Sequence, residues 1–272
     1  MIDWQSQKYW VMGVVNITPD SFSDGGHFFQ RDNALRHAQK LITEGAHILD
    51  LGAESTRPGA QAIGIQEELD RLMPVLIALR SVTNMPLSID TSKPEIMQEA
   101  LSIGVEMIND VRAFQLLNAV DVVRAYPDTT LCVMHIQGEP QSMQNQPVYD
   151  NVVQDVQAFL QSRVADLSVD KARIVLDPGF GFGKNLAHNI TLFRALPELV
   201  ALGFPVLAGV SRKRMIGELT GRVNPLDRQV GSVAAAVEAV RLGAKIVRVH
   251  DVAQTHDALT VASALGAFEF NK

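Results

Sequence analysis

Eight times along the chain a short apolar run ends in, or just before, a polar residue. The runs are Val11–Asn16, Ile48–Asp50, Leu87–Asp90, Met107–Asn109, Leu131–His135, Ile174–Asp177, Val206–Ser211 and Ile246–His250. An apolar run this short, bounded by loops, reads as a parallel strand buried on both faces, and patterns of helical period lie between the eight. Strands and helices alternating in this way count out an α/β chain built as one (β/α)8 TIM barrel, whose site lies at the carboxyl ends of the strands. The 272 residues match one such domain, so a single domain over 1–272 is expected, with no linker.

Long loops are expected after strands 1, 2 and 7. Thr18–Gly26 and Gly52–Ala60 are polar and broken by Gly and Pro, while Ser211–Gly217 reads as a polar loop or a short helix. Loops of this length in a compact domain are usually functional. The first helix carries Ala34, Leu35, Ala38, Leu41 and Ile42 on one face and stops at Gly45; the second is expected to bury Leu69, Leu72, Met73, Leu76 and Ile77. Thr91-Ser92-Lys93-Pro94-Glu95 should cap and open the third. Further helical patterns cover 117–125, 152–167, 230–242 and 252–265, and one holds Ile190, Leu192, Phe193, Leu196 and Leu199.

A formal charge of −6 without a basic tract argues against a nucleic-acid surface, so any bound anion must be met by a few local cations. No apolar run approaches the ~18 residues of a membrane span, and the amino-terminal stretch lacks the regions of a signal peptide. A soluble, cytoplasmic protein is expected, with no membrane partner. Cys132 is the single cysteine and lies in an apolar run, where it reads as a small buried hydrophobe.

Strand parity puts residues two apart on one face. If Asp90, Asn109 and Asp177 point into the barrel mouth, they form a concave set of acceptors with one amide, suited to a flat heterocycle carrying several N–H donors. A metal cage competes with that reading, but Mg²⁺ normally takes only one or two protein ligands. A second set is cationic: Arg57, Arg212, Lys213, Arg248 and His250 all follow strands 2, 7 and 8, and this fold commonly binds phosphate beyond its last two strands. Gly179-Phe-Gly-Phe-Gly-Lys184 is no phosphate loop, since its glycine spacing is wrong and Asn185 stands where Ser or Thr is required. Its glycines are expected to let the loop hug a flat ligand, with Phe182 as an apolar wall. No Ser-His-Asp or Cys-His pairing suggests a covalent nucleophile.

Taken together, Gly13–Gly26, Leu51–Ala60, Ser88–Thr91, Ile108–Val111, Met134-His135, Leu176–Lys184, Gly209–Lys213 and Arg248–Asp251 resemble, in order and from strand 1 to strand 8, the dihydropteroate synthase family of the folate pathway. Ala53 stands where that family often has Gly. The resemblance implies condensation of the diphosphate of 6-hydroxymethyl-7,8-dihydropterin with p-aminobenzoate, with Mg²⁺ as cofactor and a homodimer as the assembly. It puts the pterin on Asp90, Asn109, Asp177 and Lys213 with Met134 beneath the ring, and Mg²⁺ on Asn16. The diphosphate falls near Asn16, Thr56, Arg57, Arg248 and His250, and p-aminobenzoate near Pro58, Phe182 and Ser211. Lys213, Asp24 and Arg57 are the expected catalytic residues, Asp24 facing a developing pterin cation. A pterin-binding methyltransferase and a folate-binding barrel without catalysis are the alternatives; the cations at Arg57, Lys213, Arg248 and His250 favour the synthase.

Overall fold

The computed structural model describes residues 1–18, 27–55, 61–139, 142–143 and 147–268. Its strands are β1 (Trp10–Asn16), β2 (Ile48–Gly52), β3 (Leu87–Asp90), β4 (Met107–Asp110), β5 (Thr130–Met134), β6 (Ile174–Asp177), β7 (Leu207–Ala208) and β8 (Ile246–Val249). All pair in parallel in the order β6-β5-β4-β3-β2-β1-β8-β7. A bridge between Leu176 and Val206 closes the ring, with Leu176 N–H donating to Pro205 at 2.9 Å. The chain is thus a (β/α)8 barrel. Its register sets Asn16 opposite Gly52, Gly52 opposite Asp90, Asp90 opposite Asn109, and Met134 opposite Asp177, so the polar strand ends share one rim.

The helices are α1 (His27–Thr43), α2 (Ile65–Val82), α3 (Pro94–Ser102), α4 (Ala119–Arg124), α5 (Val152–Leu167), α6 (Leu186–Arg194), α7 (Leu196–Val200), α8 (Arg214–Thr220), α9 (Gln229–Arg241) and α10 (Val252–Ala264). The expected sixth helix is two, because Pro197 in the first turn of α7 lacks an N–H and its ring would crowd the carbonyl four residues back. In α2 the buried stripe is Glu68, Leu72, Val75, Leu76 and Leu79; Ile77 lies off it and is exposed, contrary to expectation. The cap of α3 also differs. Lys93 is its N-cap but makes no side-chain capping bond, its ammonium going to Glu54 and Glu68, while the Thr91 and Ser92 hydroxyls donate to Glu68 and Asp110. Gly45 stops α1 as expected: its φ is +94°, and a Cβ there would lie 2.8 Å from the His256 ring. Beyond β7 the polar stretch becomes α8, and Pro225–Arg228 adds a 3-10 turn before α9.

One core lies between strands and helices; a second fills the barrel's amino-terminal end. That floor is made by Ile2, Trp4, Trp10, Met12, Ile48, Met107, Cys132, Val175, Leu207 and Ile246, with the two indoles edge to face at 5.4 Å. The Cys132 thiol is wholly buried there. Among the described residues no helix is long and apolar enough to cross a membrane.

Candidate functional site

One step above the floor the inward side chains change character. Asp50, Ser88, Asp90, Asn109, Asp177 and Arg248 succeed the apolar layer, all of them buried or nearly so. They open into a cavity of about 1470 Å³ whose lining includes Asn16, Asp90, Asn109, Met134, Asp177, Phe182, Ser211, Lys213, Arg248 and His250. Every described residue in the expected ligand sets therefore meets one space. Asp24, Thr56, Arg57 and Pro58 lie outside the described residues.

Arg248 organises the mouth. Its Nε donates to Asp50 Oδ2 at 2.6 Å and its Nη2 to Asp90 Oδ2 at 2.9 Å, while Asn109 Nδ2 donates to the same Asp50 oxygen at 3.3 Å. Burial opposes the guanidinium charge, yet Asp50 and Asp90 outweigh it and hold its pKa above the ordinary value. For Asp90 burial wins: the carboxyl is pushed up to about 7 against the pull of Arg248, with Asp50 and Asp110 adding to the rise. Among the described residues, Asp90 Oδ1 and Asn109 Oδ1 are buried acceptors with no hydrogen-bond partner. Leaving such an atom unmade costs about 1–3 kcal/mol, which a ligand presenting N–H groups would remove.

Asp177 Oδ1 accepts from the backbone N–H of Gly179 at 2.7 Å, which fixes the carboxylate at the start of the glycine loop. Burial raises its pKa, and Lys213 is the largest opposing influence. Lys213 Nζ donates to Phe180 O at 2.7 Å and stands 4.6 Å from the centre of the Phe182 ring. Its pKa is lowered to about 8 by burial, with Asp177 pulling the other way. The ammonium therefore sits between a carboxylate and an aromatic face.

Two of the three glycines of the loop pack against the protein's own backbone. A Cβ on Gly179 would fall 1.8 Å from the His135 carbonyl oxygen, and one on Gly183 would fall 2.3 Å from that of Gln137. Both take positive φ, at +69° and +62°, so glycine is required twice over. Lys184 ties the loop from inside, its Nζ donating to Gly179 O at 3.0 Å and Phe182 O at 3.1 Å and meeting His135 Nδ1 at 2.8 Å. Burial brings this lysine down to about 7, and burial together with Lys184 brings His135 down to about 3.

The expected cluster of cations is smaller than it looks in the sequence. Arg212 is spent on a bidentate pair with Asp251, and Arg214, exposed at the start of α8, pairs with Glu218 one turn on. Arg248 is divided between two carboxylates. Ser211 is buried, its Oγ bonded by the backbone N–H of His250 at 3.2 Å and lying 3.0 Å from the same residue's Nδ1. Among the described residues no group of three His, Cys, Asp or Glu side chains could hold a metal ion. Asn16, half-buried at the end of β1, puts an amide on the cavity wall.

Sequence reasoning missed two side chains that shape this site. Asp50 ends its apolar run as the other acids do and shares strand parity with the mouth; that was the available signal. Lys184 stands out only as the charged end of a glycine run, and nothing local shows that its ammonium turns inward.

The family described as pterin binding enzyme matches this chain over residues 12–250. The chain is 52% identical over 262 residues to the dihydropteroate synthase of Neisseria meningitidis serogroup C, which spans 94% of this chain and 92% of that protein. Among solved structures, Xanthomonas albilineans dihydropteroate synthase with 4-aminobenzoic acid superposes with a TM-score of 0.90 at 49% identity, over 96% of this chain and 94% of that one. The same bacterium's enzyme in complex with 7,8-dihydropteroate gives a TM-score of 0.86 at 46% identity, over 96% and 95% of the two chains. With the family match running from β1 to the tip of β8, and with relatives this similar over nearly their whole length, the chain belongs to the pterin-binding enzymes and, within them, to the dihydropteroate synthases.

Proposed function

We propose that this chain condenses (7,8-dihydropterin-6-yl)methyl diphosphate with p-aminobenzoate, releasing 7,8-dihydropteroate and diphosphate. The observation that carries the reading is the pair of unpartnered buried acceptors, Asp90 Oδ1 and Asn109 Oδ1, facing one cavity with Asp177. A dihydropterin offers an exocyclic amine and ring N–H groups to such acceptors, and its oxo and imino atoms suit the Lys213 ammonium. Met134, buried at the end of β5, supplies a polarisable floor beneath the ring.

In this reading the C–O bond to the leaving group breaks first and the positive charge spreads over the electron-rich ring. The carboxylates of Asp90 and Asp177 favour that charge, and Asp24 is assigned the same task from the first loop. The aniline nitrogen of p-aminobenzoate then attacks the methylene carbon and loses a proton to solvent. An aniline is a free base at neutral pH, so no strong general base is needed. Pro58, Phe182 and Ser211 are assigned to p-aminobenzoate, which binds after the pterin diphosphate; Thr56, Arg57, Arg248 and His250 are assigned to the diphosphate.

Among the described residues Arg212 and Arg248 are committed to carboxylates, so these two arginines supply little free positive charge to a leaving diphosphate. Mg²⁺ fits that deficit. Asn16 offers one hard oxygen on the cavity wall, and Mg²⁺ normally completes its shell with water and substrate oxygens rather than a protein cage. Bound there, the ion would supply charge neutralisation to the departing diphosphate. The chain is further assigned to a cytoplasmic homodimer. In support, Leu219, Val223, Leu226 and Val230 are exposed on α8, α9 and the turn between them, elements that pack together. Sedimentation at micromolar concentration tests the dimer.

The deciding experiment for the function follows dihydropteroate from the two purified substrates with and without Mg²⁺. Turnover that requires the diphosphate ester and the metal supports the reading. Pterin binding without any condensation would leave only a binding barrel.

A further inference from the structure

We propose that the Arg212–Asp251 ion pair is a positioning device, holding a strained turn that aims Ser211 and Lys213 into the mouth and tying that turn to the tip of β8. The proposal rests on the assignment of Ser211 and Lys213 to the substrates.

The turn is visible in its hydrogen bonds. Lys213 N–H donates to Val210 O at 3.2 Å, closing four residues, Val210-Ser211-Arg212-Lys213. Within it Arg212 has φ +57°, whereas Ser211 is not among the residues of positive φ. The third position of such a turn belongs to glycine or asparagine. An arginine has neither the missing Cβ nor the short polar side chain that makes this conformation tolerable, so the surroundings must impose it.

They do so through four hydrogen bonds to three residues. Arg212 N–H donates to Ser232 Oγ at 2.9 Å, and its carbonyl accepts from Arg228 Nη1 at 2.9 Å. Its Nε and Nη2 donate to Asp251 Oδ2 and Oδ1 at 2.9 and 2.5 Å. Asp251 is itself buried and also accepts from Gln229 Nε2 at 3.0 Å. Burial opposes its charge, but Arg212 and Gln229 prevail and hold its pKa below the ordinary value.

The placement gives the pair its consequence. Both residues flanking Arg212 line the cavity, as Arg212 itself does, and the residue before Asp251 is His250, which already bonds Ser211. One ion pair therefore locks the turn after β7 to the segment that follows β8, the strand of Arg248, and begins with His250. A guanidinium whose Nε–Nη2 edge is taken by one carboxylate acts here as a brace rather than as a receptor for the leaving anion.

The test uses the full chain and compares two double variants, R212G/D251N and R212A/D251N. Both lack the ion pair and differ only in whether residue 212 can take positive φ freely. If the pair's task is to hold the turn, Asp251→Asn alone lowers kcat/KM by about tenfold or more, and the glycine double exceeds the alanine double by about tenfold. Rates are taken well below each variant's unfolding temperature. A lowered Tm with an intact kcat would mean a merely structural pair and overturn the proposal, as would equal activity of the two doubles. If Arg212 met the leaving group itself, Asp251→Asn would free it and tighten inorganic diphosphate in the presence of Mg²⁺; that result also overturns the proposal. Lys213→Met run alongside separates the two levels of argument. Unimpaired Lys213→Met would sink the substrate assignment, whereas impaired Lys213→Met beside an unimpaired D251N sinks the brace alone.

Discussion

The two ends of the barrel interior are built from the same strands at adjacent inward positions, and they obey opposite rules. At the floor Trp10, Met12, Ile48, Met107, Cys132, Val175 and Ile246 interlock with no charged group. One step along, at the mouth, Asp50, Asp90, Asn109, Asp177 and Arg248 are packed nearly as tightly, and two of their acceptor atoms besides one of Asp50's have no partner among the described residues. The floor has unpartnered polar atoms too, the indole N–H groups of Trp4 and Trp10, but they lie within an uncharged apolar layer. The mouth retains unmet hydrogen-bond capacity that another molecule can fill. The difference separates stability from function along a single barrel axis, and each variant below tests it.

The largest effect is expected from Arg248→Ala. It strands Asp50 and Asp90 as neighbouring buried carboxylates, and breaking a buried pair in this way costs about 3–5 kcal/mol. Denaturant unfolding should show that loss together with a fall in turnover on the order of a hundredfold. The diphosphate substrate should weaken more than 6-hydroxymethyl-dihydropterin, which lacks the charged group; equal weakening of both would remove Arg248 from the leaving-group side.

Trp10→Ala probes the other end. It opens a cavity beneath Trp4 and should cost about 3–5 kcal/mol of stability while leaving KM for both substrates within about twofold. A selective loss of pterin affinity in the folded variant would mean that floor and mouth are coupled, and the comparison would break.

A smaller effect follows from Asp177→Asn, which replaces one acceptor with a donor facing the ligand's donors. The cost is about 1–3 kcal/mol, read by calorimetry as roughly a tenfold weaker pterin with little change in unfolding. Unchanged affinity would take Asp177 out of the pocket.

The smallest effect concerns a proton. The Asp90 carboxyl is raised from 3.8 to about 7, so the stability it contributes is fully present below about pH 4 and is lost as pH rises through 7. Relative to Asp90→Asn, the unfolding free energy should decline across that window. Ligand N–H groups favour the ionised carboxylate, so pterin binding near pH 7 should release a fraction of a proton. Calorimetry in buffers of different ionisation enthalpy measures that fraction, and heats independent of buffer would show that Asp90 is already ionised.

Much of this was legible in the residues because it follows from local periodicity. Eight apolar runs locate the strands, and parity places Asp90, Asn109 and Asp177 on one rim. What could not be read is the long-range pairing of charge. The Arg248–Asp50 bond spans 198 positions and the Arg212–Asp251 bond spans 39, and neither leaves a mark on its neighbours in sequence. For that reason Arg212 looks like an anion ligand in the sequence and is a brace in the fold. The close approach of Gly179 and Gly183 to the His135 and Gln137 backbone, 44 and 46 positions upstream, leaves no local mark either. Ile77 fits the helical period of α2 but misses its buried stripe, since period alone does not fix how wide the covered face is. The assignments to Asp24, Thr56, Arg57 and Pro58 rest on motif alone, outside the described residues.

Trp4 and Trp10 are the chain's two tryptophans, and both are sealed in the floor. Intrinsic fluorescence from this protein therefore originates at the end of the barrel away from the substrates. It offers an internal witness for every variant of the mouth: an unaltered emission maximum certifies that the fold survived, while a red shift betrays water reaching the indoles. A change in catalysis accompanied by silent tryptophans can then be attributed to the site without adding a label.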